Sequence, residues 1–365
     1  VINNRLKILY KIDQAINVRK EELISLTSLK EYLSKELNIN SSIEVLQFPS
    51  GFSNLTYLIK AGDNRLVLRR PPHGANIKSG HDMSREFKVL SKLKNHFNKV
   101  PNPVIFCDDK SVIGDEFYLM EKVEGVIFRG SHLKSNFPKQ NLISDLVSSF
   151  IQTFSEIHSL NYMEIGLNHF GKPEGYSQRQ VQGWIRRYNN AKTNNFKEIE
   201  KTIDWLSNNL PSSPKPCLIH NDFKFDNLMF EITKKIKINA VLDWEMSTIG
   251  DPLMDLGTSL GYWIHESDPD IIKKMNFNIT HIKGMPSRHE LVHMYGEVSG
   301  RSVKNILFYF VFGLFKIAGI IQQIYFRYKK GLTNDTRFSE LNKGVELLGI
   351  MSHQAIQKRK IDYLF

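Results

Sequence analysis

The hydrophobic period of the chain changes repeatedly. Apolar side chains recur at Leu26, Leu29, Leu33 and Leu37, the three-to-four-residue spacing of a helix that buries one stripe, and Thr27 or Ser28 is placed to cap it. From residue 42 the pattern shortens to runs of β-branched, aromatic and other apolar residues over 42–48, 55–61 and 65–70. Pro49-Ser50-Gly51 and Gly62-Asp63-Asn64 separate them, which predicts a three-strand antiparallel meander. Residues 82–97 return to helical spacing, with Phe87, Leu90, Leu93 and Phe97 on one side. Two more strands follow over 104–107 and 116–123, so five strands and one helix make a β-rich lobe ending near Val123.

The remainder reads as mainly helical. Between 142 and 160 the apolar positions are 142, 143, 146, 147, 150, 151, 154 and 157, a sustained 3.6-residue stripe. Short apolar runs at 217–220 and 237–242 predict two strands inside this half. Helices are expected over 252–263, 287–298, 303–328 and 335–357. No internal repeat or low-complexity linker interrupts the chain. The class is α+β, organised as an N-terminal helical extension over 1–40, a lobe over 41–123 and a helical lobe over 124–365.

Composition narrows the possible functions. Of 365 residues, 41% are hydrophobic and 24% charged, which excludes a disordered tail, a collagen-like repeat and a coiled-coil rod. Lys and Arg number 49 against 38 Asp and Glu, a formal charge of +11. That favours anionic partners: nucleotides, phosphorylated or CoA-linked metabolites, nucleic acid or an acidic membrane. Nucleic acid is not expected, because basic residues cluster only in short runs such as Tyr328-Lys-Lys330 and Lys358-Arg-Lys360. Cys107 and Cys217 are too few for a disulfide framework and read as thiols of a reducing compartment. The first 30 residues carry scattered charges and no apolar core of a secretory signal. The run ILFYFVFGLFKIAGII over 306–321 is 16 residues long and contains Lys316. A membrane span needs about 20 apolar residues, and a central lysine costs about 3 kcal/mol on insertion. The segment is therefore expected to be a buried core helix, with no membrane span, in a cytoplasmic protein.

The sharpest chemistry follows the 217–220 run: His220-x-Asp222-x-Lys224-x-x-Asn227. Sixteen residues after Asn227 comes Asp243, in Val241-Leu-Asp-Trp-Glu245, at the end of the next apolar run. The set suits phosphoryl transfer. A hydroxyl nucleophile needs a carboxylate to orient it and take its proton, and Asp222 can do that. Magnesium takes hard oxygen ligands, and Asn227 and Asp243 supply an amide oxygen and a carboxylate. Lys224 is a cation available to offset charge on the transferring phosphate. His220 is expected to brace the loop by hydrogen bonds. The same residues could instead form an Asx turn and a helix cap; what favours the chemistry is that their order and spacing resemble the kinase motif set.

These motifs resemble the protein-kinase-like fold and, more narrowly, the aminoglycoside phosphotransferase and choline kinase group, over about residues 40–350 by order of elements. Asp-Trp-Glu in place of Asp-Phe-Gly, and Gly250-Asp-Pro-x-x-Asp255-Leu256 after it, carry the narrower likeness. The resemblance implies a bilobal kinase-like fold, with a five-stranded antiparallel N-lobe holding ATP and a mainly helical C-lobe, and the use of ATP and Mg2+. Ser50-Gly-Phe-Ser-Asn54 then lies where kinases keep a glycine-rich loop over the phosphates. Only Gly51 remains there, with Ser50, Ser53 and Asn54 as donors; in isolation it is a hairpin turn. Arg69 stands where kinases place a lysine on the phosphates, and arginine is a good phosphate ligand. Strand alternation sends Arg70 to the other face. Glu86 resembles the acidic partner of that cation, although it also reads as a solvent-facing residue. In Phe117-Tyr-Leu-Met-Glu-Lys-Val123, backbone groups of Glu121 and Val123 would bond adenine and Met120 would line its pocket, or Met120 is ordinary core. Asp251 and Asp255 read as a helix cap and an anchor for the catalytic loop.

For the acceptor, Leu55-Thr-Tyr57, Leu66-Val-Leu-Arg-Arg-Pro-Pro72, the 220–227 loop and Phe315-Lys-Ile-Ala-Gly-Ile-Ile-Gln322 look closest to one branch. It comprises the kinase-like domains fused to acyl-CoA dehydrogenases and their stand-alone bacterial relatives. The resemblance implies an anionic small-molecule hydroxyl acceptor such as a hydroxyacyl-CoA. Two alternatives stand beside it: a catalytically weak or inactive nucleotide-binding protein of this fold, and an aminoglycoside O-phosphotransferase. The last needs an acidic pocket for a polycation, and the basic chain argues against it.

Overall fold

Alternation and turn chemistry set the first half of the chain in a computed structural model that describes residues 14–49, 54–72, 82–129, 140–333 and 335–365. In chain order the elements begin β1 (Ile16–Asn17), α1 (Leu26–Leu37), β2 (Ile43–Gln47), β3 (Leu55–Ala61), β4 (Asn64–Arg70) and α2 (Met83–Leu93). They continue with β5 (Pro103–Cys107), α3 (Lys110–Ile113), β6 (Phe117–Glu121), α4 (Gln140–Ser159), α5 (Tyr176–Ala191), α6 (Lys197–Asn208) and β7 (Cys217–Ile219). The last are β8 (Leu228–Ile232), β9 (Ile236–Val241), β10 (Thr248–Gly250), α7 (Pro252–Tyr262), α8 (Asp270–Lys273), α9 (Arg288–Ser299), α10 (Ile306–Lys329) and α11 (Leu341–Lys358).

The described residues up to Ile127, together with Asn227–Met246, form one compact unit. Its sheet has six strands in the order β1-β2-β3-β4-β6-β5, every neighbour antiparallel. The expected five are present; the sixth, β1, is a two-residue edge strand, too short to leave a period in the sequence. Ala61 pairs with Asn64 across Gly62-Asp63, and Gly62 takes φ 57°, the left-handed conformation that a two-residue hairpin turn needs. The helix cap on α1 is Ser25, whose side chain accepts from Ser28 N, and not Thr27 or Ser28. Leu29, Leu33, Tyr57, Ile59, Leu68 and Phe117 are fully buried in one cluster, each contributing about 1.5–3 kcal/mol by burial. The β8–β9 hairpin belongs to this unit: Phe230 and Val126 exchange both backbone bonds (2.8 and 2.9 Å), and Val241 N donates to Lys99 O at 2.8 Å.

The other described residues, within Phe128–Asp226 and Ser247–Phe365, form the second unit, which is mainly helical. β7 and β10 pair antiparallel, Cys217 opposite Gly250. The short strands β8 and β10 and the helices α5 and α6 add to the elements expected from sequence. α5 is polar apart from a narrow stripe that includes Val181, Trp184 and Tyr188, and so shows little period. The helix expected at 335–357 begins only at Leu341, after a separate turn at Thr336–Phe338. α10 packs on α7 and α11. It meets α7 at paired glycines: a Cβ on Gly257 would strike the backbone of Tyr309, and one on Gly313 that of Gly257. Among the described residues α10 is the one helix long and apolar enough to cross a membrane, and 78% of its apolar window is buried inside the protein.

Candidate active site

The residues singled out for chemistry fall into two groups, one in each unit. In the first unit β4 supplies Arg69. Its Nη1 donates to Glu86 Oε1 at 2.7 Å and its Nη2 to Asp243 Oδ1 at 2.7 Å, with Glu245 Oε2 3.8 Å away. Alternation along the strand turns Arg70 the other way, onto Ile113 O (3.0 Å) and Asp115 Oδ2 (2.8 Å). Glu86 reaches Arg69 because it lies on the buried stripe of α2 with Met83, Val89, Leu90 and Leu93. It is no solvent-facing residue, and its Oε1 also accepts Trp244 N at 3.0 Å. Burial works against the charge on Arg69, but Glu86 first and Asp243 next outweigh it and hold its pKa well above the usual arginine value. Burial pushes the Glu86 carboxyl up against the pull of Arg69. Tyr118 lies beside the pair, and burial followed by the Glu86 charge raises its hydroxyl well above normal. Tyr118 Oη, Glu86 Oε2 and Arg69 Nε are buried and have no hydrogen-bond partner among the described residues.

Asp243 follows β9 at φ 67°, a left-handed conformation that costs a non-glycine residue about 1–2 kcal/mol. Its surroundings pin it. Trp244 Nε1 bonds Val241 O at 2.9 Å, and the Trp244 ring sits edge-on to Phe97. Leu228 pairs with Val241, and Leu242 N donates to Asn227 O at 2.8 Å. Asn227 and Asp243 therefore flank the open end of one hairpin. An amide oxygen and a carboxylate suit magnesium, which takes one or two protein carboxylates and completes its shell with phosphate and water oxygens. Among the described residues no group of three His, Cys, Asp or Glu forms a closed metal cage.

A small open recess is lined by Arg69, Glu86, Tyr118, Met120, Asp243 and Trp244, among others. Met120 thus lines the recess that also holds Arg69. Lys122 N pairs with Arg65 O, while Glu121 N is taken by Asn102 O at 2.9 Å, which leaves Glu121 only its carbonyl to offer a ligand. Val123 lies beyond the end of β6. Asn54 Nδ2 donates to Glu245. Ser50, Gly51 and Ser53 lie outside the described residues.

In the second unit the loop after β7 carries Asp222 and Lys224. Asp255, on α7 and fully buried, accepts His220 N at 2.6 Å and Asn221 N at 2.8 Å. His158 Nε2 lies 3.2 Å from the same carboxylate, and His158 Nδ1 2.7 Å from Tyr295 Oη. Burial pushes the Asp255 carboxyl up, but the bond and charge of His158 pull harder, so it lies below the usual carboxylate value. Asp251 caps α7 through Leu253 N at 2.8 Å. His220 braces the loop: its Nδ1 accepts Asp222 N at 3.3 Å. Asn221 takes φ 67°, and its amide exchanges bonds with Tyr176 Oη at 3.1–3.2 Å. Lys224 Nζ lies 2.9 Å from Asp222 Oδ2 and 4.5 Å from the centre of the Tyr262 ring. Burial opposes the Lys224 charge, but Asp222 outweighs it and raises its pKa.

The sequence reading missed Lys316 as a functional residue. It is 2% exposed, and its Nζ donates to Asn221 O at 2.7 Å and lies 3.4 Å from Thr258 Oγ1. Burial pushes it down to about 8. The signal was a lysine inside an apolar helix, weighed as an obstacle to membrane insertion and as part of the 315–322 motif that carries a family likeness, without a role of its own. Glu245 and Asn221 were also missed, since neither residue type stands out in its motif.

Residues 44–281 match the phosphotransferase enzyme family model, APH. The mouse (Mus musculus) protein acyl-CoA dehydrogenase family member 10 is 35% identical over 342 residues, 93% of this chain and 31% of that protein. The chain spans less than half the length of the curated relatives it matches. A solved Ralstonia eutropha protein assigned to the aminoglycoside phosphotransferases has a TM-score of 0.75 and 26% identity, covering 92% of this chain and 99% of its own. Choline kinase from Cryptosporidium parvum has a TM-score of 0.60 at 16% identity, covering 91% of this chain and 95% of its own. The fold is therefore kinase-like, as the sequence motifs implied.

Proposed function

Because the chain belongs to the phosphotransferase enzyme family, we propose that it uses ATP and magnesium to phosphorylate a hydroxyl of a small molecule. The observation that carries this reading is the arrangement around Asp243. Its carboxylate is held by Arg69, Arg69 is held by Glu86, and Asn227 shares the end of the same hairpin. That is the equipment for holding a metal-bound polyphosphate. Arg69 would hold the phosphates and Glu86 would orient it. Asn54, with Ser50, Gly51 and Ser53, would cover the phosphates. The Glu121 carbonyl and the Val123 N–H would hold adenine over Met120. Asn227 and Asp243 would hold magnesium, which, when bound, supplies charge neutralisation on the phosphate oxygens. Asp222 would orient the acceptor hydroxyl and receive its proton. Lys224, already paired with Asp222, would offset charge developing on the transferred group.

The acceptor we propose is an anionic hydroxylated metabolite, such as a hydroxyacyl-CoA. Lys224 and Lys316 are both coupled electrostatically to Asp222. Such surroundings suit an acceptor that carries negative charge and count against a polycationic aminoglycoside. The basic net charge of +11 points the same way. Cys107 and Cys217 are both free and buried, in keeping with a cytoplasmic setting.

The test is a transfer assay with radiolabelled ATP and magnesium across hydroxyacyl-CoAs, amino alcohols, sugars and aminoglycosides. Label is expected on the hydroxyacyl-CoAs. Label on aminoglycosides alone would reverse the acceptor assignment. ATP binding without transfer to any acceptor would support the inactive alternative and overturn the proposal.

A further inference from the structure

Lys316 is costly where it stands. An ammonium removed from water inside an apolar helix loses several kcal/mol of solvation, and a helix selected for stability alone would carry Leu or Met there. Among the described residues no carboxylate pairs with it at salt-bridge distance. Its contacts are the Asn221 carbonyl at 2.7 Å, the Thr258 hydroxyl at 3.4 Å and the ring of Trp184, whose centre is 5.9 Å away, and the charges of Asp222 and Asp255 favour it from farther off.

The Asn221 carbonyl belongs to the peptide unit that joins Asn221 to Asp222. That unit is planar, so its orientation is set by what grips its two polar atoms. Lys316 grips the oxygen. His220 Nδ1 accepts from the nitrogen, the N–H of Asp222, at 3.3 Å. Asn221 is left-handed at φ 67°, a conformation kept because its N–H is also held, by Asp255, and its side chain by Tyr176. Removing the grip on the oxygen takes away one of the holds on the peptide plane that leads into Asp222, leaving the hold of His220 on its nitrogen.

The motif Phe315-Lys-Ile-Ala-Gly-Ile-Ile-Gln322 also gains an account. Lys316, Gly319 and Gln322 recur every three residues and so share one side of α10. A Cβ on Gly319 would stand 3.2 Å from Trp184, and Gln322 Nε2 donates to Ala191 O at 2.8 Å. This face holds α5, and Lys316 is its one member that reaches the catalytic loop.

We propose that Lys316 is a positioning residue for phosphoryl transfer: by gripping the Asn221 carbonyl it fixes where the Asp222 carboxylate points. The inference rests on the reading of Asp222 as the residue that orients the acceptor. A misplacement of about 1 Å in such a group costs about 100-fold in rate. The experiment compares wild type, Lys316→Met and Lys316→Arg for kcat, for KM of ATP and acceptor, and for melting temperature. Lys316→Met is expected to lower kcat by about 30- to 100-fold while KM for ATP stays within about threefold and the protein melts no earlier. Lys316→Arg, which restores a cationic donor, is expected to recover most of kcat. A Lys316→Met enzyme with wild-type kcat overturns this inference alone. So does one whose kcat loss is matched by a lower melting temperature and is not recovered in Lys316→Arg. A wild type that transfers phosphate to no acceptor overturns the kinase reading and this inference with it.

Discussion

Asp255→Asn removes a buried charge that organises the loop carrying Asp222, the residue proposed to orient the acceptor. In the wild type one buried carboxylate accepts His220 N at 2.6 Å and Asn221 N at 2.8 Å and faces His158 Nε2 at 3.2 Å. Hydrogen bonds to a charged group contribute about 1.5–3 kcal/mol each. An asparagine offers one acceptor oxygen and one NH2 group, so one backbone N–H must face a donor. Two strong bonds worth about 4 kcal/mol become one neutral bond worth about 1, and an orphaned buried donor adds about 1–2 kcal/mol. The expected loss is about 4–5 kcal/mol, within the range seen when a buried charged pair is broken. The assay is urea unfolding followed by tryptophan fluorescence and circular dichroism at pH 7 and in steps from about pH 4 down to about pH 2. The sign with pH follows from the depressed Asp255 pKa. Its stabilisation is fully present above the ordinary carboxylate range, and it is lost as pH falls through the folded value. The gap between wild type and variant should therefore narrow in acid. A loss below about 1 kcal/mol at pH 7, or a gap that widens in acid, would refute the assignment of Asp255 as the anchor of this loop.

Other residues give sharper contrasts. Asp243→Asn is expected to lower transfer by about 10²–10³-fold and to cost about 1–2 kcal/mol of stability through its weakened bond to Arg69, because asparagine still accepts the left-handed conformation; a loss above about 4 kcal/mol in the melt would contradict this. Arg69→Met strands Glu86 as a buried charge and should cost about 3–5 kcal/mol at pH 7.5. Burial raises the Glu86 pKa, so it takes up a proton more readily in mild acid, and parallel melts should show a smaller cost at pH 5.5. Burial pushes the Lys316 ammonium down to about 8 from the ordinary lysine value of about 10.5. Below 8 it is charged in both states and its burial penalty is fully present. Between 8 and 10.5 the unfolded chain holds a proton the folded chain has released, so stability should rise by about 3 kcal/mol relative to Lys316→Met. Denaturant midpoints that run parallel for the two proteins from pH 7 to 10.5 would refute the burial of that charge. Gly313→Ala places a methyl group against the Gly257 backbone and should destabilise by about 1–3 kcal/mol, read as an earlier melt.

The β-rich half was legible because its signals are local. Gly62-Asp63 can only be a tight turn between 55–61 and 65–70, and strand alternation alone separated Arg69 from Arg70. The catalytic loop was legible because His220, Asp222, Lys224 and Asn227 sit within eight residues. What escaped depends on tertiary burial. Glu86 reads equally as surface until α2 turns its Met83–Leu93 stripe inward. The strands β8 and β10 are short, and β8 is recognised only by pairing with β9 and with Val126. Lys316 looks like an anomaly in an apolar run until the Asn221 carbonyl is placed beside it. The cap of α1 was displaced by two or three residues, to Ser25, because Ser25, Thr27 and Ser28 are all good caps and only the backbone decides among them.

The most direct test of the central claim is the rate of phosphate transfer by Asp222→Asn, measured beside wild type with magnesium, saturating ATP and an acceptor that wild type labels. Wild-type nucleotide affinity with turnover reduced at least about 100-fold is the result expected of a residue that orients and deprotonates the acceptor hydroxyl. Undiminished turnover in that variant would contradict the account.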